Sequence, residues 1–380
     1  MISLAGRDIL HAWGKFVFTG IGLGLLIGVT LTMAGVYRGM VDDGLVLLDN
    51  SGADMWVVQQ DTLGPYAEPS SLPDDIWRSI RLMPGVAEAA NVTYLTMQVA
   101  KGGEDVRATV VGIAAGGSGT VGWPPYLVAG RQITRGHYEA VADIASGFGL
   151  GDSLQIRRNT YEVVGLTRRM VSSSGDPMVF IPLKDAQEAQ FLKDNDAILM
   201  QRRRGADNLT STSVNAVLVR IKPEFLPEEV AEPIRRWQRF TVYDREQMEA
   251  ILVGKMIATS ARQIGMFLVI LAVVCAAIVA FIIYTLTMDK IREIAVLKLI
   301  GTRNRTIVWM ILQQSLILGV IGFVVGKITA TFAAPIFPKY VLLVPTDSII
   351  GFLAVQAICI LASFVAIRMA LKVDPAEVIG

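Results

Sequence analysis

The residue types that usually carry chemistry are few in this chain and poorly spaced for it. Its 380 residues include 2 histidines and 2 cysteines. His11 and His137 are far apart, and neither has a cysteine or a second histidine at metal-ligand spacing. Cys275 and Cys359 fall inside long apolar runs, where they read as small packing residues and offer no disulfide framework. Ser315 and Ser363 lie in similar runs with no histidine there to act as base, which argues against an intramembrane serine protease. Asp143 and Asp152 could hold a cation, but turn-forming aspartates are far commoner. The stretch GVIGFVVGKIT resembles a phosphate loop only superficially, because Ile321 takes the first glycine position and Ile328 replaces the hydroxyl that would bind magnesium. These patterns encode no catalytic, cofactor, metal or nucleotide site. The expectation is a chain that is not catalytic by itself.

A charged segment offers more. Residues 289–305, DKIREIAVLKLIGTRNR, lie between two uncharged apolar runs and hold Lys290, Arg292, Lys298, Arg303 and Arg305. A basic turn between two spans is cytoplasmic by the positive-inside rule. Ile291, Ile294, Ala295 and Lys298 recur at helical spacing, and Gly301 ends the helix they predict. Such a helix suits docking of a soluble partner, although a well-anchored loop has the same composition.

The run REIAVLKLIGTRNR resembles the coupling segment of FtsX/MacB-type ABC transporter permeases, whose signature is approximately R-E-I-[AG]-[VL]-L-[KR]-x-[IML]-G. Arg292, Glu293, Ile294, Ala295, Val296, Leu297, Lys298, Ile300 and Gly301 fit it. The resemblance continues through VVGI, PPYLVAGRQI, ADIASGFGLGDSLQI, YEVVGLTRRM and MVFIPLKDAQ, in the order of the MacB-type periplasmic domain, with matches at Gly130, Arg131, Gly149, Gly151, Asp152, Gly165, Pro182 and Gln187. Residues 148–152 are two shorter than the family's usual spacing there, which predicts a trimmed hairpin.

The resemblance implies a four-span permease subunit of the type VII class, closest in build to short DevC-like members. It implies two copies of a separate ABC ATP-binding subunit, which bind ATP and Mg, and a second copy of this chain. A periplasmic adaptor and an outer-membrane channel often complete such assemblies. On this reading Ile291, Ile294, Ala295 and Lys298 enter a cleft on the ATPase, with Arg292 and Glu293 fixing the register. The family's substrates include lipids, glycolipids, lipoproteins, peptides and drugs, and no residue here selects among them. Two alternatives stay open: an FtsX-like scaffold that controls a periplasmic cell-wall hydrolase, and a lipoprotein-releasing permease subunit.

The elements that must position this segment follow from composition. The chain is 52% hydrophobic with a formal net charge of +1 and a mean hydropathy of +0.48. That is a polytopic membrane protein in contact with lipid, without a basic field for nucleic acid. Residues 1–15 read as a cytoplasmic interfacial amphipathic helix. Residues 16–37 form a first span, retained rather than cleaved as a signal peptide. Gly20, Gly24 and Gly28 give it one smooth face for helix packing at a dimer interface. Residues 38–243 read as a periplasmic α+β domain with two strand–helix–strand units at its ends, an all-β insert between them and a serine-rich mobile loop at 172–175. Residues 244–288 form a stalk and second span, with Asp244 as N-cap and nothing to break the helix; at ~1.5 Å per residue it is about twice the length a bilayer requires. The coupling segment follows at 289–305. A third span at 306–334 carries Gly319, Gly322 and Gly326 as another packing face. A short periplasmic loop at 335–347, a fourth span at 348–367 and a cytoplasmic tail at 368–380 complete the chain.

This topology predicts that a cysteine introduced as Ser173→Cys reacts with a membrane-impermeant thiol reagent in intact spheroplasts. Labelling seen only after lysis overturns the topology.

Overall fold

The protein is described here from a computed structural model covering residues 13–114, 120–124, 126–172, 174–191, 213–337 and 339–372. The amphipathic helix expected at 1–15 lies almost entirely outside the described residues, as do Ser173 and the tail beyond Lys372. The chain divides into two compact units, one made of Met1–Gly39 with Ser260–Gly380 and the other of Met40–Thr259.

From the N-terminus the elements are α1 (Trp13–Ser51), β1 (Met55–Val58), β2 (Leu72–Pro73), α2 (Ile76–Arg81), β3 (Val86–Lys101), β4 (Glu104–Ile113), β5 (Ala129–Gly130), β6 (Glu139–Asp143), β7 (Ser153–Ile156), β8 (Asn159–Thr167), β9 (Met178–Pro182) and α3 (Leu183–Phe191). They continue with β10 (Ser213–Val214), β11 (Ala216–Ile221), α4 (Pro227–Gln238), β12 (Thr241–Asp244), α5 (Arg245–Ile251), a π-helical segment (Leu252–Ile257), α6 (Ala258–Asp289), α7 (Ile291–Leu299), α8 (Asn304–Ala333) and α9 (Pro345–Lys372). Among the described residues, four helical stretches are long and apolar enough to cross a membrane: Val17–Ser51, Arg245–Asp289, Asn304–Ala333 and Pro345–Arg368. With the α+β domain between the first two, this is a multi-pass inner-membrane chain with a large periplasmic domain.

The α+β unit is organised by one ten-stranded sheet of order β12-β1-β11-β3-β4-β9-β6-β8-β5, with β7 pairing to β3 and β8 off this path. Strand periodicity sorts its apolar residues between two faces. Trp56 and Val58 of β1, with Ala216 and Leu218 of β11, join a core on one face. Their alternates Met55, Val57, Val217 and Val219 join the core under α2 and α4 on the other. Both faces are covered, so MWVV is continuously apolar instead of alternating. The β3–β4 hairpin turns on Gly102 and Gly103, whose φ values of 56° and 104° are those a two-residue primed turn requires.

The two strand–helix–strand units meet in this sheet, because β1 pairs antiparallel with both β11 and β12. The insert strands extend it through a parallel β4–β9 pair. Three expectations change in detail. The strand expected to open the second strand–helix–strand unit breaks at Asn215, whose side chain accepts from Tyr94 N–H (2.9 Å) and donates to the Ser70 carbonyl (2.9 Å), standing in for a ladder rung. The trimmed hairpin at 148–152 is a tight turn, closed by Gly149 N–H donating to the Asp152 carboxylate at 2.8 Å. The helix expected to run unbroken after Asp244 does begin with a capping box, in which Asp244 accepts from Gln247 N–H. It then widens into the π segment at Leu252–Ile257, where Gly254 lowers the preference for regular α geometry.

At the head of β6, Glu139 is buried with a side chain only 1% exposed. Its carboxylate accepts from the Arg131 guanidinium (2.5 Å) and from the N–H groups of Thr134 (2.8 Å) and Arg135 (2.9 Å). Arg131 first, and these backbone donors after it, outweigh burial and hold the acid at about 2, below its ordinary 4.5. A depressed carboxylate stabilises the fold fully above about pH 4.5, and that contribution is lost as pH falls toward about 2. Melting temperature measured across this window is expected to fall more steeply for the wild type than for Glu139→Gln; parallel slopes refute the assignment.

Candidate functional site

α7 lies between α6 and α8 in the chain and ends in a Schellman turn. Gly301 takes φ 90°, its N–H donates to the Lys298 carbonyl (3.0 Å), and Thr302 N–H reaches the Leu297 carbonyl (3.0 Å). A side chain at Gly301 would be strained in this conformation, which explains a glycine there without a direct role in docking.

The structure redistributes the residues expected to form the docking face. Ile294 and Ala295 are buried, at 1% and 0% exposure, and Ile294 belongs to the core of the helical unit with Ile283, Ile307 and Ile367. Lys298 turns the same way, and its Nζ donates to the Leu371 carbonyl (3.0 Å), capping an end of α9 with a cation where the helix dipole is negative. Ile291 is half-buried. These residues share one side of α7, and in the helical unit that side turns toward the bundle. What remains outside is a second stripe: Arg292 and Glu293 are exposed, and Val296, Leu299 and Ile300 are exposed by 46, 63 and 76%. Positions 292, 296, 299 and 300 share a side of the helix. Val296 and Ile300 are in the matched motif, yet periodicity alone could not say which of two apolar stripes faces inward.

The glycines behave similarly. A Cβ at Gly20 would lie 2.6 Å from Ile321 Cγ2, one at Gly24 2.6 Å from Val325 Cβ and 3.0 Å from the Gly322 carbonyl, and one at Gly28 3.1 Å from the Gly326 carbonyl. In return, a Cβ at Gly326 would lie 2.8 Å from the Gly24 carbonyl. The expected packing face therefore meets α8 of the same chain, not a second copy, because α8 carries the complementary small residues.

Further up α1, Gly35 and Gly39 receive the loop before α9. Leu342 N–H donates to the Gly35 carbonyl (3.0 Å), and the Tyr340 carbonyl sits where a Gly39 Cβ would be. Beside them Arg38 binds Asp347 through two bonds of 2.9 Å, and Lys327 Nζ donates to Ser348 Oγ (2.6 Å). Neither glycine was expected as a packing residue; Gly35 follows Gly28 by seven residues and Gly39 follows Gly35 by four, which keeps both on the same side of the helix. Among the described residues no group of acidic, histidine or cysteine side chains is arranged to hold a metal.

Comparison with known proteins matches residues 17–237 to the MacB-like periplasmic core domain and residues 265–375 to the FtsX-like permease C-terminal region. An ABC transporter permease of Mycobacterium tuberculosis is 27% identical over 382 residues, covering 100% of this chain and 99% of its own length. One from Mycobacterium bovis is 24% identical over 381 residues with the same coverage. The crystal structure of the periplasmic region of MacB from Actinobacillus actinomycetemcomitans aligns with 53% of this chain and 94% of its own, at 12% identity and a TM-score of 0.37.

The α1–α8 contact yields a specific expectation. Gly24→Leu should destabilise the helical unit by about 1–3 kcal/mol through overpacking, read as a lower melting temperature in detergent. Gly22→Leu, where a Cβ meets nothing within 4 Å, should leave melting unchanged; equal melting of both variants contradicts the packing.

Proposed function

Because the chain belongs to the FtsX/MacB-type ABC transporter permeases, whose domain descriptions match residues 17–237 and 265–375, we propose that it is the non-catalytic membrane subunit that converts ATP hydrolysis in a separate ATP-binding subunit into movement of its periplasmic domain, driving export of a substrate from the periplasmic side. In this reading two permease copies work with two ATP-binding subunits, which bind the ATP and Mg. The DevC-like build, with its ATPase on a separate chain, is part of the same proposal, as is the cytoplasmic placement of both termini.

The observation that supports coupling most directly is the exposed stripe of α7. Val296, Leu299 and Ile300 leave apolar surface beside Arg292 and Glu293, in the segment that matches the family's coupling motif. An apolar centre with a charged rim is the composition of a protein-docking surface. The buried side of α7 has a second role. Ile294 packs in the bundle core and Lys298 holds the end of α9, so a push on α7 is passed to α9 through direct contacts. Along the chain it is passed to α6, the π segment and α5, which begins at the sheet's edge strand β12.

The test separates the two faces. Leu299→Arg places a charge that must be desolvated on docking, at a cost of several kcal/mol. It should reduce permease-stimulated ATP turnover in reconstituted complexes at least tenfold while the isolated permease melts normally. Ala295→Arg should instead lower the melting temperature of the permease alone, and Thr302→Arg, beyond the turn, should be tolerated. Full stimulation by Leu299→Arg refutes docking through the exposed stripe.

A further inference from the structure

One cavity in the α+β unit has a chemistry that the coupling function does not use. It measures about 230 Å³ and lies on the sheet face opposite α2 and α4. Leu47 and Met178 supply apolar wall alongside Thr96, Thr109 and Asn215, Tyr66 and Tyr94 line it as well, and Glu68 is part of the lining with its carboxylate bound by Leu63 N–H at 2.9 Å.

The hydrogen bonds around the tyrosines leave a donor over. Trp56 Nε1–H donates to the Tyr66 hydroxyl at 3.2 Å, and the Tyr66 and Tyr94 hydroxyls are 3.2 Å apart. Those groups carry three protons and make two bonds. Whichever phenol donates to the other, the remaining O–H has no acceptor among the described residues. Burial raises both phenols above their ordinary range, Tyr94 well above it, so each stays neutral and protonated. The rings are fixed, with centroids 5.0 Å apart and Trp56 fully buried behind them.

A preformed concave site that sets apolar and aromatic wall against a few polar groups is the usual build of a small-molecule site. A neutral donor calls for an oxygen acceptor, and the nearby Glu68 carboxylate disfavours an anion. We propose that this cavity binds a small uncharged ligand with a flat apolar body and a ketone or ether oxygen, held by the spare phenolic proton of the Tyr66–Tyr94 pair. The site is confined to the α+β unit and does not rest on the transport reading.

Benzophenone is a direct probe, since it is a neutral aryl ketone that inserts on irradiation into C–H bonds such as those next to the Met178 sulfur. The full chain in lipid nanodiscs would be irradiated with it and adducts mapped by mass spectrometry. The expected result is saturable labelling at Met178 that acetophenone competes away, and at least fivefold weaker labelling by anionic 4-benzoylbenzoate. Ala67→Trp, which fills the cavity from its lining, should abolish the Met178 adduct. The double variant Tyr66→Phe, Tyr94→Phe should weaken it roughly fivefold, the size of one neutral hydrogen bond. The neutral–anionic comparison on the wild type decides the matter even if the double variant does not fold. Absent or non-saturable labelling at Met178, labelling that persists in Ala67→Trp, equal labelling by the anion, or an unchanged adduct in a folded double variant each overturns the proposal.

Discussion

Backbone lying against backbone is the constraint on which the helical unit depends. Where α1 crosses α8, the space left by missing side chains is taken by Ile321 and Val325 from one helix, Leu23 and Ile27 from the other, and the carbonyl oxygens of Gly322, Gly326 and Gly24. In lipid the hydrophobic effect gives little reason for two apolar helices to associate, so close van der Waals approach must supply the attraction. α8 then serves two neighbours. Gly322 and Gly326 face α1, while Gly319 faces Cys359 and Gln356 of α9, and Ser315 Oγ donates to the Cys359 carbonyl at 2.7 Å. The core shared by Leu23, Ile27, Leu318 and Cys359 is assembled around this contact, and it extends to Ile294 of α7.

The periplasmic unit obeys a different rule. Its sheet is covered on both faces along β1 and β11, so strand order is fixed by which apolar set belongs to which core. A one-residue slip would exchange Trp56 with Met55 and send each into a space shaped for the other. The end of α1 is fastened within this unit by ion pairs from Asp42 to Arg169 and from Asp49 to Arg245. These are partly exposed and specify geometry more than they stabilise.

Much of this was legible in the sequence, for reasons specific to each element. Four apolar runs announce four spans because lipid tolerates little else, and the motif from Arg292 to Gly301 fixes the place of α7. Asp244 was readable as a cap because its partner Gln247 lies three residues on. The orientation of α7 was not legible: Ile294 and Val296 are equally apolar, and only the bundle determines which is covered. Nor was the identity of the helix that receives Gly20, Gly24 and Gly28, since a smooth face states that something approaches closely and not what. The break at Asn215 depends on Ser70 and Tyr94, distant in sequence, and the Tyr66–Tyr94 pair is invisible for the same reason.

The loop docked at Gly35 and Gly39 is held to α1 by atoms that every amino acid possesses: the Leu342 amide and the Tyr340 carbonyl. Side chains of the loop join them, since Val341 Cγ1 and Leu343 Cδ2 would lie 2.6 and 3.0 Å from a Gly35 Cβ and Tyr340 Cδ1 3.3 Å from a Gly39 Cβ. The two glycines are thus closed off by backbone and side chain together, and any larger residue there must displace the loop. A regular helix in this way sets where an irregular segment lies, the reverse of the common division in which loops carry the particulars and helices support them.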